Sequence, residues 1–214
     1  GVEALIRWYS EQLGELRPDL FISHAENTGD IQCIGTWVLD QACAQVRRWW
    51  DDGLGLLPVA VNVSYRQFAG DALVEAVEQA LARHRLPGHA LELEFTERVL
   101  IEDLPQTAQA IARRQAMGVQ LSIDDFGEGY SALSYLRRLP INGLKLSALF
   151  VANIADNPQD VAVCQAVQGI AHSLGLGLVA EGVETAAQRD QLLALGIHIG
   201  QGFLYAPGLS PTDL

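Results

Sequence analysis

Strand-like and helix-like segments alternate along almost the whole of this 214-residue chain. The strand candidates are short and mostly apolar, as expected for strands that are buried on both faces of a parallel sheet. They are VEALIRW, LLPVAVNVS, ALELEFTE, GVQLSID, NGLKLSALF, LGLVAEGV and IHIGQGFLY. This alternation predicts an α/β fold with parallel strands and helices outside them. Two architectures compete, a (β/α) barrel of the TIM type and an open doubly wound sheet, and seven strand candidates in a chain of this length fit a barrel near its lower size limit.

Four helices are predicted from capping residues and from apolar residues at helical spacing. One of them runs from Cys33 to Asp52. The other three begin at polar N-cap residues, and two of these end at a glycine or close to one. The residues that mark these ends are Asp71, Asn157 with Pro158, Gly175, Thr185 with Gln188, and Gly196.

Composition limits the function more than the fold. Hydrophobic residues make up 49% and charged residues 19% of the chain, which is ordinary for a globular domain, and no linker divides it. We therefore predict one domain over residues 1–214, a piece of a longer multidomain protein because the chain opens inside an apolar run. The net charge of −12 argues against binding to duplex DNA or RNA.

The three cysteines form no C-x-x-C motif, and no apolar run approaches the roughly 20 residues of a membrane span. We expect a cytoplasmic location, including the case of the cytoplasmic part of a membrane-anchored protein.

Polar side chains recur at the ends of the strand candidates. Asp124 and Asp125 follow one apolar run and precede a glycine-rich turn. Corresponding positions in or after the strand candidates are Glu3, Asn62, Glu94, Glu97, Lys145, Glu181 and Gln201. Because the carboxyl ends of barrel strands open at one mouth, we expect these side chains to meet there.

Carboxylates gathered in one concavity are costly unless they are paired or bound to cations. The donors are oxygens, with no H-x-x-x-H pair among the five histidines, so the predicted ions are Mg²⁺ or Mn²⁺. Asp124 beside Asp125 allows one carboxylate to bridge two ions about 3.5–4 Å apart, an arrangement that activates water against phosphate esters. Lys145 adds positive charge. The alternative is an acidic loop pair with an N-cap role.

Residues 127–132, GEGYSA, also match the dinucleotide-binding fingerprint G-x-G-x-x-A. The carboxylates of Asp124 and Asp125 would oppose a pyrophosphate at this turn. The acid that the fingerprint expects about 20 residues later is replaced by the Lys145 region. We therefore do not favour a nicotinamide cofactor.

These motifs resemble the EAL domain family, bacterial phosphodiesterases and receptors for cyclic di-GMP. The name motif stands at Glu3-Ala4-Leu5, and the other motifs follow in family order. They are NVSYRQF at 62–68, EFTE at 94–97, DDFGEGYSAL at 124–133, LK at 144–145, AEGVET at 180–185 and QGFLY at 201–205. The resemblance implies a modified TIM barrel with one antiparallel strand, and it implies that this first strand and the last helix are missing from the chain.

The resemblance also implies a role for each matching residue. One ion is held by Glu3, Asn62, Glu94 and Asp124, and a second by Asp125 and Glu181. The catalytic set is Glu181 as general base, Lys145 as holder of the nucleophilic water, Glu97 as support for the loop after Asp125, and Glu184. Substrate is contacted by Arg7, Gln201 and Leu5.

Three residues depart from the family pattern. Ser147 stands where the family has the carboxylate of K-x-D, and Glu128 stands where it has the threonine of DFGTG. Asn142 stands where many members have Asp. The first two departures bear on the second ion and on the loop that positions it, whereas all residues of the first ion site are retained.

The resemblance implies hydrolysis of cyclic di-GMP to linear pGpG with two Mg²⁺ or Mn²⁺ ions, and inhibition by Ca²⁺. A second hypothesis is a catalytically weak or inactive receptor for cyclic di-GMP, which Ser147 and Glu128 motivate. A third is an inert scaffold that binds no ligand. We also expect a homodimer, and neighbouring sensor or GGDEF-type domains in the full-length protein.

Overall fold

The computed structural model describes residues 1–68, 71–99, 113, 115–128, 136 and 139–214. The chain divides into two compact units. The first contains Gly1–Phe95 with Asp103–Gln120, and the second contains Thr96–Glu102 with Leu121–Leu214. The extension of one domain over residues 1–214 stays a prediction.

In the first unit, parallel strands alternate with helices, as the sequence predicts. Its elements are β1 (Val2–Ala4), β2 (Trp8–Ser10), β3 (Gly14–Leu16), α1 (Pro18–Thr28), α2 (Ile31–Asp51), β4 (Val59–Asn62), α3 (Tyr65–Phe68), α4 (Ala72–His84), a 3-10 turn (Gly88–Ala90) and β5 (Leu91–Thr96). Strand β4 pairs in parallel with β1 on one side and with β5 on the other.

Helix α2 supplies much of the core of the first unit. Leu39, Cys43, Val46 and Trp49 recur every three or four residues and are buried on one face of the helix. This face packs against α4 and β4. Burial of each large aliphatic side chain contributes about 1.5–3 kcal/mol relative to exposure, which holds the helix against the strands that carry the polar residues.

The strand predicted over VEALIRW ends earlier than expected. Strand β1 stops at Ala4, and Trp8 begins an antiparallel hairpin of β2 and β3. The Ser10 hydroxyl accepts hydrogen bonds from the N–H groups of Gln12 and Leu13, and Gly14 follows with a φ of 72°. Because these contacts favour a tight turn, the chain reverses instead of extending β1.

The second unit contains β6 (Gln120–Phe126) apart from its first residue, β7 (Gly143–Leu146), α5 (Ala148–Val151), α6 (Pro158–Leu174), β8 (Gly177–Ala180), α7 (Ala186–Ala194) and β9 (Ile199–Gly200). Each of these strands pairs in parallel with the next along the chain. The core is formed by apolar side chains of β6, β7, the helices and the turn after α5. Fully buried examples are Leu121, Ile123, Leu144, Leu146, Val151, Ile154 and Cys164.

The predicted caps are confirmed for the two long helices of the second unit. The Asn157 side chain accepts from the N–H of Gln159, and Gly175 closes α6 with a φ of 69°. Thr185 and Gln188 form the capping box of α7. The prediction for α4 is wrong in one respect, because the Asp71 side chain makes no capping bond.

Asp71 instead forms an ion pair with Arg113, so a tertiary partner replaces the local one. Among the described residues, no helix is both long enough and apolar enough to span a lipid bilayer.

Candidate functional site

The oxygen donors of the first unit lie side by side on neighbouring strands. Asn62, the last residue of β4, is the register partner of Glu94 in β5, and Glu3 in β1 pairs with Ala60. Since side chains alternate along a strand, Glu3, Asn62 and Glu94 point to the same face. The Asn62 amide nitrogen donates to Glu3 Oε1 at 2.6 Å, which leaves the amide oxygen as the atom suited to a cation.

Glu94 is the most buried of these three residues, with 4% of its surface exposed. A carboxylate at this depth requires partners that compensate for its lost hydration. The donors of the first unit therefore form a carboxylate–amide–carboxylate row at the carboxyl ends of parallel strands, with the ligand types that Mg²⁺ or Mn²⁺ prefers.

A second group of carboxylates lies in the second unit. Asp124, Asp125 and Glu181 each offer a carboxylate oxygen, and these oxygens lie within 4.8 Å of one another. Asp124 Oδ1 is buried and accepts no hydrogen bond. An acidic cluster with a buried oxygen that lacks a donor fits a divalent cation.

A distortion of β6 brings the two neighbouring aspartates together. In a regular strand, Asp124 and Asp125 would point to opposite faces. The pairing of β6 with β7 shifts between Ile123 and Phe126, and Asp125 has a φ of 50°. Aspartate tolerates this left-handed conformation better than most residues, so the bulge directs both carboxylates to one cluster.

Lys145 is the positive charge of this cluster. Its side chain is buried in β7, and its Nζ lies 2.7 Å from Glu181 Oε1 and 3.2 Å from Asp124 Oδ1. The second contact is ionic, since Asp124 Oδ1 accepts no hydrogen bond. The ammonium offsets part of the negative charge of the carboxylates and is placed to hold a polar atom beside them.

Glu97 lies against the turn that follows Asp125. Its Oε1 accepts a hydrogen bond of 2.7 Å from the N–H of Gly127, which has a φ of 104°. Burial raises the pKa of the Glu97 carboxyl, the Gly127 N–H opposes this effect, and the charge of Glu128 adds to it. The carboxyl of Glu97 therefore holds a proton more strongly in the folded protein than in the unfolded chain.

This raised pKa predicts a pH dependence of stability. Because the folded state binds the proton more tightly, its free energy of unfolding falls as the pH rises from the ordinary value of 4.5 through the folded pKa. Glu97→Gln keeps an oxygen for the Gly127 N–H but cannot ionise. In EDTA, urea unfolding should show the variant gaining stability over wild type as the pH rises from 4 to 8. An unchanged difference across that range would contradict the assignment.

The residues predicted to contact substrate lie outside the two acidic groups. Leu5 and Arg7 lie in the loop after β1, where Leu5 is 50% exposed. The Arg7 Nη1 donates to the Ile6 carbonyl at 3.0 Å, and its Nε lies 3.9 Å from Glu15 Oε1. This exposed ion pair is weak and would yield readily to a phosphate.

Gln201 and Glu184 flank the strand end that carries Glu181. The Gln201 N–H donates to the Ala180 carbonyl at 2.8 Å, and the Glu184 N–H donates to Gln188 Oε1 at 2.8 Å. Gln188 is buried and also donates to the Ala152 carbonyl. Gln188 was expected only as a helix cap, and its further contact fixes the turn that bears Glu184.

Each of the three departures from the family pattern makes contacts in the second unit. Asn142 Oδ1 accepts from the Leu121 N–H at 3.0 Å, and the Asn142 N–H donates to the Leu121 carbonyl at 2.8 Å. Ser147 and Glu128 contact each other through a hydrogen bond from hydroxyl to carboxylate. Of the fingerprint at 127–132, residues 129–132 lie outside the described part of the chain, as does the whole GYSAL portion (129–133) of the DDFGEGYSAL motif.

Comparison with known proteins agrees with the motifs. The EAL domain model matches residues 1–208. The bifunctional diguanylate cyclase/cyclic di-GMP phosphodiesterase MucR of Pseudomonas aeruginosa is 46% identical over 204 residues, covering 95% of this chain and 30% of MucR. The chain spans about 30% of the length of the curated relatives it matches.

Solved structures give the same result. The MucR phosphodiesterase in complex with c-di-GMP matches with a TM-score of 0.94 and 44% identity, over 99% of this chain and 85% of that one. BlrP1 of Klebsiella pneumoniae, in a calcium and cyclic di-GMP complex, matches with a TM-score of 0.81 and 31% identity, over 94% and 50% of the two chains. These matches confirm the predicted TIM-type fold class. The chain belongs to the EAL domain family.

Proposed function

We propose that this chain is a phosphodiesterase that hydrolyses cyclic di-GMP to linear pGpG with two Mg²⁺ or Mn²⁺ ions. The observation that carries the proposal is the cluster of Asp124, Asp125 and Glu181 around the buried ammonium of Lys145. Carboxylates beside a buried ammonium are suited to binding metal ions and to transferring a proton. Membership in the EAL family and the c-di-GMP complex of the MucR phosphodiesterase support the choice of substrate.

We assign one ion to Glu3, Asn62, Glu94 and Asp124, and the second to Asp125 and Glu181. The row in the first unit has three of the oxygen ligands proposed for the first ion, and Asp124 lies with Asp125 and Glu181 in the cluster of the second unit. When bound, the two ions supply Lewis acidity and offset the charge that develops on the phosphate.

Residues of the chain carry out proton transfer, positioning of the water and binding of the substrate. The product pGpG carries a terminal 5′-phosphate, so water attacks phosphorus and the P–O3′ bond breaks. Glu181 accepts the proton of the attacking water, and Lys145, 2.7 Å from Glu181 Oε1, holds that water in position. Solvent returns a proton to the leaving 3′-oxygen. Arg7 and Gln201 bind the substrate, Leu5 contacts a base, and Glu97 and Glu184 support the loops that bear the acids.

The direct test is an assay of purified protein with cyclic di-GMP, with the products separated by ion-exchange chromatography. We expect pGpG in Mg²⁺ or Mn²⁺ and none in EDTA. Ca²⁺ should inhibit, because its longer and more variable coordination does not maintain the geometry that Mg²⁺ imposes. Absence of pGpG in both Mg²⁺ and Mn²⁺ would refute the proposal.

The second candidate function is a cyclic di-GMP receptor, favoured by Ser147 and Glu128 at positions where the family has Asp and Thr. Calorimetric titration with cyclic di-GMP in Ca²⁺, combined with a hydrolysis assay in Mn²⁺, separates the two functions. Tight binding without pGpG after long incubation in Mn²⁺ identifies a receptor, whereas turnover identifies the enzyme. The homodimer, the neighbouring GGDEF-type or sensor domains and the cytoplasmic location stay predictions.

A further inference from the structure

The two departures closest to the acidic cluster contact each other. The Ser147 hydroxyl donates a hydrogen bond to Glu128 Oε1. In the family pattern, a carboxylate stands at position 147 and a hydroxyl at position 128. This chain has the hydroxyl at 147 and the carboxylate at 128. The two functional groups are therefore exchanged between the positions, and in this chain they form a hydroxyl–carboxylate pair.

Ser147 is held rigidly at its end of this pair. It is 1% exposed and lies at the N-cap of α5, where its Oγ accepts a hydrogen bond of 3.1 Å from the Leu149 N–H. A hydroxyl has one proton to donate, and in Ser147 that proton goes to Glu128. Ser147 also follows β7 two residues after Lys145, so the pair is anchored to the strand that carries the ammonium.

Glu128 connects Ser147 to the backbone of Asp125. The Glu128 N–H donates to the Asp125 carbonyl at 3.3 Å, which closes the turn after the bulge. Gly127 within the turn donates to Glu97, and a Cβ built on Gly127 would lie 2.8 Å from the Phe150 ring. The turn is thus confined on several sides, and the Glu128 side chain is its link to β7.

We propose that Glu128 and Ser147 form a latch that positions Asp125 for its cation, with Glu128 as the positioning residue. The proposal rests on the function proposed above and deepens it. The exchanged residues preserve the second ion site, and their exchange does not mark a degenerate receptor. Each residue suits only its present partner. Two carboxylates at positions 128 and 147 would repel each other, and two hydroxyls would form a weaker hydrogen bond because neither carries a charge.

The test exchanges the hydroxyl and the carboxylate between the two positions and measures Mn²⁺ affinity. Mn²⁺ binding to the EDTA-treated protein is measured by electron paramagnetic resonance for wild type, Ser147→Asp, Glu128→Thr and the double variant. Loss of a partner that orients a metal ligand lowers affinity by about 10–100-fold. For Ser147→Asp we expect such a loss of affinity at the weaker of the two proposed Mn²⁺ sites, and for Glu128→Thr a smaller loss. In the double variant, Mn²⁺ affinity should recover to within about threefold of wild type.

Two further variants keep the test decisive. Ser147→Ala removes the hydroxyl without adding charge. If Ser147→Asp does not fold, Ser147→Ala should still lower Mn²⁺ affinity. Asp30→Ala removes the acceptor of another hydroxyl–carboxylate pair, Thr28 Oγ1 to Asp30 Oδ2 at 2.7 Å, and should leave Mn²⁺ affinity unchanged.

The latch is refuted if the single variants bind Mn²⁺ as wild type does, or if the double variant loses as much as the sum of the two single losses. Cyclic di-GMP hydrolysis by the same proteins separates this result from failure of the proposed function. Wild-type turnover with no rescue in the double variant rejects the latch alone. Rescue of Mn²⁺ affinity without wild-type turnover rejects the phosphodiesterase alone.

Discussion

Glu3→Ala is expected to abolish hydrolysis of cyclic di-GMP. The substitution removes a carboxylate from the proposed first ion site and also removes the acceptor of the Asn62 amide. A metal ion supplies several kcal/mol of transition-state stabilisation, and each 1.36 kcal/mol corresponds to a tenfold change in rate. The rate of pGpG formation at saturating substrate and 5 mM Mg²⁺ should therefore fall by about 10³-fold or more.

The control for this variant is Glu75→Ala, which removes an exposed carboxylate of α4. It should leave the rate of pGpG formation and the thermal unfolding midpoint as in wild type. Thermal unfolding in EDTA also establishes that the Glu3→Ala protein is folded. Turnover by Glu3→Ala within tenfold of wild type, with Mn²⁺ affinity retained, would exclude Glu3 as a ligand.

Lys145→Met is expected to impair both stability and turnover, but to increase the response to Mn²⁺. The Lys145 ammonium is buried between Asp124 and Glu181, whose side chains are 15% and 16% exposed. Removal of one partner of a buried ion pair costs about 3–5 kcal/mol. In EDTA the unfolding free energy should fall by that order, and turnover with Mn²⁺ should fall by about 10²–10³-fold.

Mn²⁺ should then raise the unfolding midpoint of Lys145→Met by more than that of wild type. The variant lacks the ammonium that offsets the carboxylates, so the cation replaces a lost charge in addition to binding its site. Arg83→Met removes a cation that is 63% exposed beside Asp40, a change worth about 0–1 kcal/mol. A smaller Mn²⁺ effect in Lys145→Met than in wild type would contradict the arrangement.

The order of the strands and most helix ends could be predicted because they depend on local patterns. Apolar runs mark the buried strands, and Asn157 and Gly175 bond to residues close by in the chain. The hairpin from Trp8 to Leu16 was missed, since its strands are three residues each and partly exposed. Its turn is stabilised by the Ser10 hydroxyl, which no hydrophobic periodicity reveals.

The candidate site was predictable in composition but not in geometry. Adjacent acids at 124 and 125 are visible in the sequence, whereas the left-handed φ of Asp125 that groups them is not. Ser147 and Glu128 were each recognised as departures from a family pattern. Their contact joins residues 19 apart in the sequence, and only tertiary structure brings them together.

The most direct test of the account is a crystal structure with Mn²⁺ and cyclic di-GMP, with the ions located by anomalous scattering. We predict two Mn²⁺ peaks about 3.5–4 Å apart, the spacing of two-ion phosphodiester sites. One ion should be bound by Glu3, Asn62, Glu94 and Asp124, and the other by Asp125 and Glu181. An occupied site whose ion contacts none of Glu3, Asn62 or Glu94, or the absence of both peaks at saturating Mn²⁺, would contradict the account.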